Sequence, residues 1–314
     1  MPGSTSSFLA RSSVVTEVTP GTTPATPAFK TMHAPAIFTG ESERLKGRSL
    51  TAGGSNFGDA LKRKPSLGKV QGPMITSIYD TLWESLLQNS FTTNVCTDGK
   101  LRQTNTYELS FPAGEAGTTT YVRNLGVEAV GAKVTVSATG TIDVEFDLVG
   151  MQSDDATTTA ITGATYTAPT AKEPLSAEGD IGVVTLSGIT LPNITNMTID
   201  YIYDGREPQP KIGSNTLVGV TRGAFIPKIT LKCYLESSFL AIFNASRISV
   251  ATERVFTWNF GSVSGAKYSQ VFHSCIIDMA PADLSQPTGF QTLTITPSFS
   301  VANGCVMTMT RQIV

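Results

Sequence analysis

Apolar residues alternate with polar ones along most of this chain, and a period of two predicts antiparallel strands. The clearest case is a hairpin in which Ala132, Val134 and Val136 alternate with Lys133, Thr135 and Ser137, while Ile142, Val144, Phe146 and Leu148 alternate with Asp143, Glu145 and Asp147. A three-residue loop at Ala138, Thr139 and Gly140, with Gly140 in the left-handed position, sets Val136 against Ile142, Val134 against Val144 and Lys133 against Glu145. A two-residue loop would set Val136 against Asp143 and scramble the faces, so the pattern selects its own register. Further strands are predicted at residues 13–18, 36–39, 104–111, 121–128, 183–187, 189–191, 196–204, 224–235, 255–260, 268–278, 290–299 and 305–312.

One stretch breaks the alternation. Ile75, Ile78, Tyr79, Leu82, Trp83, Leu86 and Leu87 recur at helical spacing and leave Asp80, Thr81, Glu84, Ser85 and Gln88 on the other side. This predicts a helix of about 14 residues that must pack against a sheet to be stable, with Ile78, Tyr79, Leu82, Trp83 and Leu86 as its packing face. Ser77 followed by Asp80 resembles a capping box. A second, shorter helix is predicted over 235–246, with Phe239, Ile242 and Phe243 inward.

The fold class is therefore mainly β: antiparallel strands with one main flanking helix. Residues 1–66, which include Pro20, Pro24, Pro27 and Pro35, read as an extended arm rich in Pro, Gly and Ser, and 67–314 as the β domain. Residues 151–179 read as a surface insertion or loop. With 40% apolar residues in 314 the chain can bury a sizeable core, while a charged fraction of 15% and a net charge of −2 suit an assembly protein better than a helical enzyme.

Chemistry is hard to place on these residues. Cys96, Cys233, Cys275 and Cys305 are widely spaced, which suggests reduced thiols and neither a zinc site nor a redox pair. His33 and His273 stand apart from any catalytic or metal-binding pattern, and His273 reads as a core or interface residue. The expectation is no enzyme, no cofactor and no metal. Asp143, Glu145 and Asp147 line one strand face, which reads as solvated rather than catalytic, or as the wall of a water-filled channel that a polyanion passes without sticking. Lys62, Arg63 and Lys64 read as a loop or subunit contact. The start of the chain lacks a signal-peptide pattern and no apolar run is long enough to span a membrane, so a soluble protein made in the cytoplasm is expected.

The blocks VTEVTPGTTPATPAFKTM, SIYDTLWESLLQNSFTTNVCTDGK, GAKVTVSATGTIDVEFDLVGMQ and VVTLSGITLPNITNMTIDYIYDGREPQPKIGSN, with the strands after them, follow an order that resembles the tail tube proteins of long-tailed bacteriophages. The resemblance implies a β-barrel or sandwich flanked by a helix, and a virion structural protein of the siphophage type, assembled in the host cytoplasm into rings, usually of six, that stack as a hollow conduit for DNA ejection. It implies that strands of neighbouring copies complete a continuous barrel, with Asp143, Glu145, Asp147 and Lys133 facing the lumen. It also implies tape-measure and tail-terminator or tail-tip proteins as partners, transient DNA passage without specific binding, and no membrane. The arm and residues 151–179 would then contact stacked rings or decorate the tube. A second reading is a virion β-sandwich module for recognition of carbohydrate or receptor, whose aromatic platform would be Phe256, Trp258 and Phe260.

Overall fold

The computed structural model describes residues 10–39, 43–45, 60–63, 66–112, 118–169, 172–236, 238–247, 253–263, 265–279 and 289–312. The protein is mainly β, with two helices of 8 residues each among the described residues. Two strands organise it because each belongs to two sheets. Thr119–Ser137 pairs with Asn105–Pro112 in its first half and with Ile142–Gly150 and Ile194–Tyr201 in its second. Lys267–Met279 pairs with Arg254–Phe260 and Met307–Gln312 at its start and with Phe290–Thr296 at its end.

A strand that crosses between layers is covered on both faces at the corner. Residues 124–129 and 272–275 are accordingly buried without alternation. Each corner holds a residue with positive φ, Gly126 at 62° and Ser274 at 46°. Glycine is required at the first: a Cβ there would come within 2.5 Å of the Met151 side chain. Because the corner hides the alternation, residues 121–128 and 132–137 look like separate strands in the sequence but form one strand of 19 residues.

The central sheet runs in the order Ala36–Phe38, Ser66–Pro73, Ile142–Gly150, Thr119–Ser137, Ile194–Tyr201, Lys228–Tyr234, Phe290–Thr296, Lys267–Met279, with all neighbours antiparallel. The hairpin has the register that its pattern selects, Val136 on Ile142 and Glu145 on Lys133. Gly140 has a positive φ of 142°, a backbone conformation that favours glycine. A second sheet joins Thr165–Thr167, Ala28–Thr31, Arg11–Thr16, Asn105–Pro112 and the start of Thr119–Ser137. A third joins Ile181–Leu186, Arg254–Phe260, the start of Lys267–Met279, Met307–Gln312 and Val95–Thr97. Among the described residues these pairings stay open and do not close a barrel.

Two segments differ from the sequence reading. Residues 10–38, expected within an extended arm, are woven into the sheets: Arg11–Thr16 pairs with Asn105–Pro112, and Phe29 is fully buried. The prolines mark the ends of short strands rather than a free segment. Residues 151–167 form a strap along the second sheet, pairing at Gln152–Ser153 and Thr165–Thr167. The break between Ala224–Phe225 and Lys228–Tyr234 falls at Pro227, which has no N–H to give a neighbour.

The main helix is Asp80–Leu87, shorter than the periodicity predicts. Ser77 takes a positive φ of 68°, so residues before Tyr79 make a turn, and no side-chain cap forms. The Asp80 carboxylate instead accepts from the Tyr268 hydroxyl and pairs with Arg311 at 2.5 Å. Tyr79, Leu82, Trp83 and Leu86 are buried and Ile78 is half-buried, with Trp83 edge-on to Phe146 and Tyr201 at 5.0 and 5.1 Å between ring centres. Ser85 and Gln88, expected on a polar face, are buried too. The Ser85 hydroxyl donates to the Gln103 carbonyl at 2.8 Å and accepts the Ala129 N–H at 3.0 Å, so the crossing strand covers the helix's other side.

Trp83 fills the space between helix and central sheet. Trp83→Ala is expected to lower unfolding stability by about 3–5 kcal/mol in urea denaturation, as expected for deletion of a fully enclosed aromatic. A loss below about 1 kcal/mol would mean that the helix does not depend on this contact.

Candidate functional site

Alternation gives the central sheet two unlike faces. Val134, Val144, Ile199, Ile229 and Ile295 belong to the core, and their polar neighbours stand on the other side. Lys133, Asp143 and Asp147 are exposed there and Glu145 is half-exposed. The structure thus brings these four residues onto one surface, and strand pairing adds others that lie far away in sequence.

Glu145, Lys133, Asp200 and Lys228 are successive partners across four strands, so the charge alternates in sign along the row. The next row reads Asp143, Thr135, Thr198, Thr230, Thr294 and Asp278. Lys69 lies 2.5 Å from Glu145 and 3.2 Å from Asp147. Its hydrogen bond with Glu145, then that with Asp147, holds its ammonium above the ordinary lysine value. Lys232 is turned onto the Phe290 ring at 4.5 Å, and Tyr234 stacks on the same ring.

The face is polar in the middle and aliphatic at its two ends. Ile37 and Leu67, at 65% and 43% exposure, stand beside a groove of about 550 Å³ at the Ala36–Phe38 edge. Ile276, 46% exposed, stands at the opposite edge. Of the basic triplet, Lys62 and Arg63 end the strand Ala60–Arg63, while Lys64 lies outside the described residues.

Three buried carboxylates were not singled out in the sequence. Glu17 accepts from the Gly21 and Gly126 N–H groups and the Thr106 hydroxyl at 2.7–2.8 Å. Glu108 pairs with Arg123 at 2.7 Å and accepts the Tyr166 hydroxyl at 2.6 Å. Glu128 pairs with Arg102 at 2.7 Å and Arg206 at 3.3 Å. Such donor-saturated acids hold structure together. An acid inside the apolar run Leu125 to Val130 was the available signal for Glu128. Burial pushes the Cys96 and Cys275 thiols up to about 12 and Cys233 to about 11, which keeps them protonated and unreactive. No group of His, Cys, Asp and Glu among the described residues has metal-binding geometry.

An antiparallel sheet with one core face and one internally paired polar face, flanked by a helix, defines a β-structural protein whose conspicuous feature is a surface rather than a pocket. The family model for the phage tail tube protein matches residues 7–300, and the chain belongs to that family. A search of curated proteins finds no match. Membership makes this a structural component of the virion tail that assembles with copies of itself into the tube. No helix among the described residues is long and apolar enough to cross a membrane.

His273 is buried, with Nε2 3.0 Å from the Thr308 hydroxyl, and burial lowers its pKa below 6.5 despite the nearby Asp98 carboxylate. As pH falls below 6.5 the unfolded chain takes up a proton that the fold resists, so stability present above that pH is lost on acidification. His273→Gln is expected to flatten this part of the stability profile relative to the parent protein in thermal unfolding between about pH 7 and 5. Identical slopes for the two proteins would show that His273 does not titrate in this environment.

Proposed function

We propose that the protein is a non-catalytic tube subunit of a long-tailed, siphophage-type virion, acting without cofactor or metal. Six copies form a ring, rings stack into a hollow conduit, and DNA passes through it during ejection without specific binding. The polar face of the central sheet lines the lumen, with Asp143, Glu145, Asp147 and Lys133 on the wall. Neighbouring copies meet at the sheet's two ends and complete a continuous barrel. Assembly takes place in the host cytoplasm, with tape-measure and tail-terminator or tail-tip proteins as partners.

One observation carries this reading: the exposed face is polar across its middle strands and aliphatic at both edges, where Ile37, Leu67 and Ile276 stand exposed. A strand edge with unpaired backbone groups and exposed aliphatics is unfavourable in water and favourable once another copy covers it. The recognition-module reading loses its platform, since Phe256, Trp258 and Phe260 are each 0% exposed and Trp258 donates from Nε1 to Gln270 at 2.8 Å inside the core.

The native thiols are buried, so one new cysteine reports a single position. In Thr198→Cys, unassembled protein is expected to react with both a small maleimide and a maleimide carried on a particle wider than the bore. Assembled tubes, checked as hollow and striated by negative-stain microscopy, are expected to react with the small reagent alone. Equal labelling of tubes by the bulky reagent would put this face on the outside and end the lumen assignment.

A further inference from the structure

We propose that the polar face of the central sheet neutralises Lys69, Lys133 and Lys228 with its own carboxylates, so that duplex DNA finds no unbalanced cation among them. The inference rests on the reading that this face is the one DNA passes. A wall that let DNA slide could repel it with a net negative charge. This face also carries lysines, and strand pairing sets Lys69, Lys133 and Lys228 beside carboxylates. Lys69 bridges Glu145 and Asp147. Lys133 stands between Glu145 on one strand and Asp200 on the other. Lys228 is opposite Asp200, and Lys232 lies over the Phe290 ring.

Directly opposed residues in an antiparallel sheet hold their side chains about 5 Å apart at Cβ, well inside the screening distance of about 8 Å at physiological salt. Phosphates approaching from solvent therefore see a lysine and a carboxylate together. The hydroxyl row formed by Thr135, Thr198, Thr230 and Thr294 adds polar groups without net charge. Asp200 is the pivot, since it is the shared partner of both Lys133 and Lys228.

Fluorescence anisotropy with a labelled DNA duplex tests this on the full-length protein. The parent is expected to show no salt-dependent binding from about 50 to about 200 mM salt. The double variant D200N/E145Q, folded by circular dichroism, is expected to bind and to lose about tenfold in affinity over that range, as two newly freed phosphate contacts require. Adding K133Q and K228Q to it is expected to abolish the gained binding. Salt-dependent binding by the parent equal to that of the variant, or no binding by a folded variant, would overturn the proposal. The lumen reading fails separately: if bulky reagents label Thr198→Cys in tubes while the variants behave as described, the neutralisation stands and its placement inside the tube falls.

Discussion

Every strand has two edges of backbone donors and acceptors, and each edge must find a partner or face water. Much of this fold follows from how that requirement is met. The strap after Gly150 lays Gln152–Ser153 against Thr119–Ser137 and Thr165–Thr167 against Ala28–Thr31, which covers both margins of the second sheet from the same chain. It continues to Leu175, which accepts from Ile142 and donates to Met74, and to Ala177, which donates to Gly140. The central sheet is treated differently. Among the described residues, Ala36–Phe38 has Ser66–Pro73 as its one strand partner. A chain that seals one sheet and, among the described residues, leaves another open at the end where aliphatic side chains are exposed has directed its cohesion outward at that place.

The sealed interior depends on charges as well as on apolar packing. Arg206 is buried and joins three parts of the molecule: its guanidinium donates to Glu128 at the strand corner, reaches the carbonyls of Ser85 and Leu86 at the helix end, and lies over the Tyr203 ring at 4.7 Å. A cation suits the negative end of a helix dipole, and here it also satisfies carbonyls that the helix itself leaves unpaired. Tyr203 donates to the Leu86 carbonyl at 2.6 Å, Gly99 to that of Leu87 at 2.8 Å and Leu101 to that of Gln88 at 2.7 Å. The helix is short, but its last turn is enclosed by groups from two separate segments, residues 99–101 and 203–206. Removing one member of such a buried set costs more than the set's net contribution, because a charge is then left without a partner.

What the sequence reveals follows from where both faces of an element differ. The hairpin is legible because one face is core and the other polar, so period two fixes strand, face and register together. Where both faces are buried the signal vanishes, which is why the corner at residues 124–129 looks like a gap. The helix misleads at its start for a related reason: Ile75 and Ile78 fit the helical period, but Ile75 reaches the core from a turn that Ser77 makes possible. In residues 10–38 the strands are too short, at 3 to 6 residues, for alternation to outweigh the prolines around them. The charged surface was half legible. Lys133 and Glu145 meet through a local turn, whereas Lys69, Asp200 and Lys228 join them through pairing of distant segments, which no local pattern encodes.

Low charge and high threonine content follow from the same surface. Threonine is the polar residue best suited to a strand, being β-branched and able to offer a hydroxyl without a charge. Rows of it allow a wide sheet face to stay wet with few ionic groups. Glu145, Lys133, Asp200 and Lys228 are set opposite one another, and the reason lies in repetition. In a tube built from identical copies, an uncompensated charge recurs with every copy, and the field of the whole surface grows with the length of the assembly. Compensation by a neighbour in the same copy is repeated along with the charge, so it holds at any length. A charge ladder closed within one subunit is therefore the arrangement that keeps an indefinitely repeated polar surface near neutral.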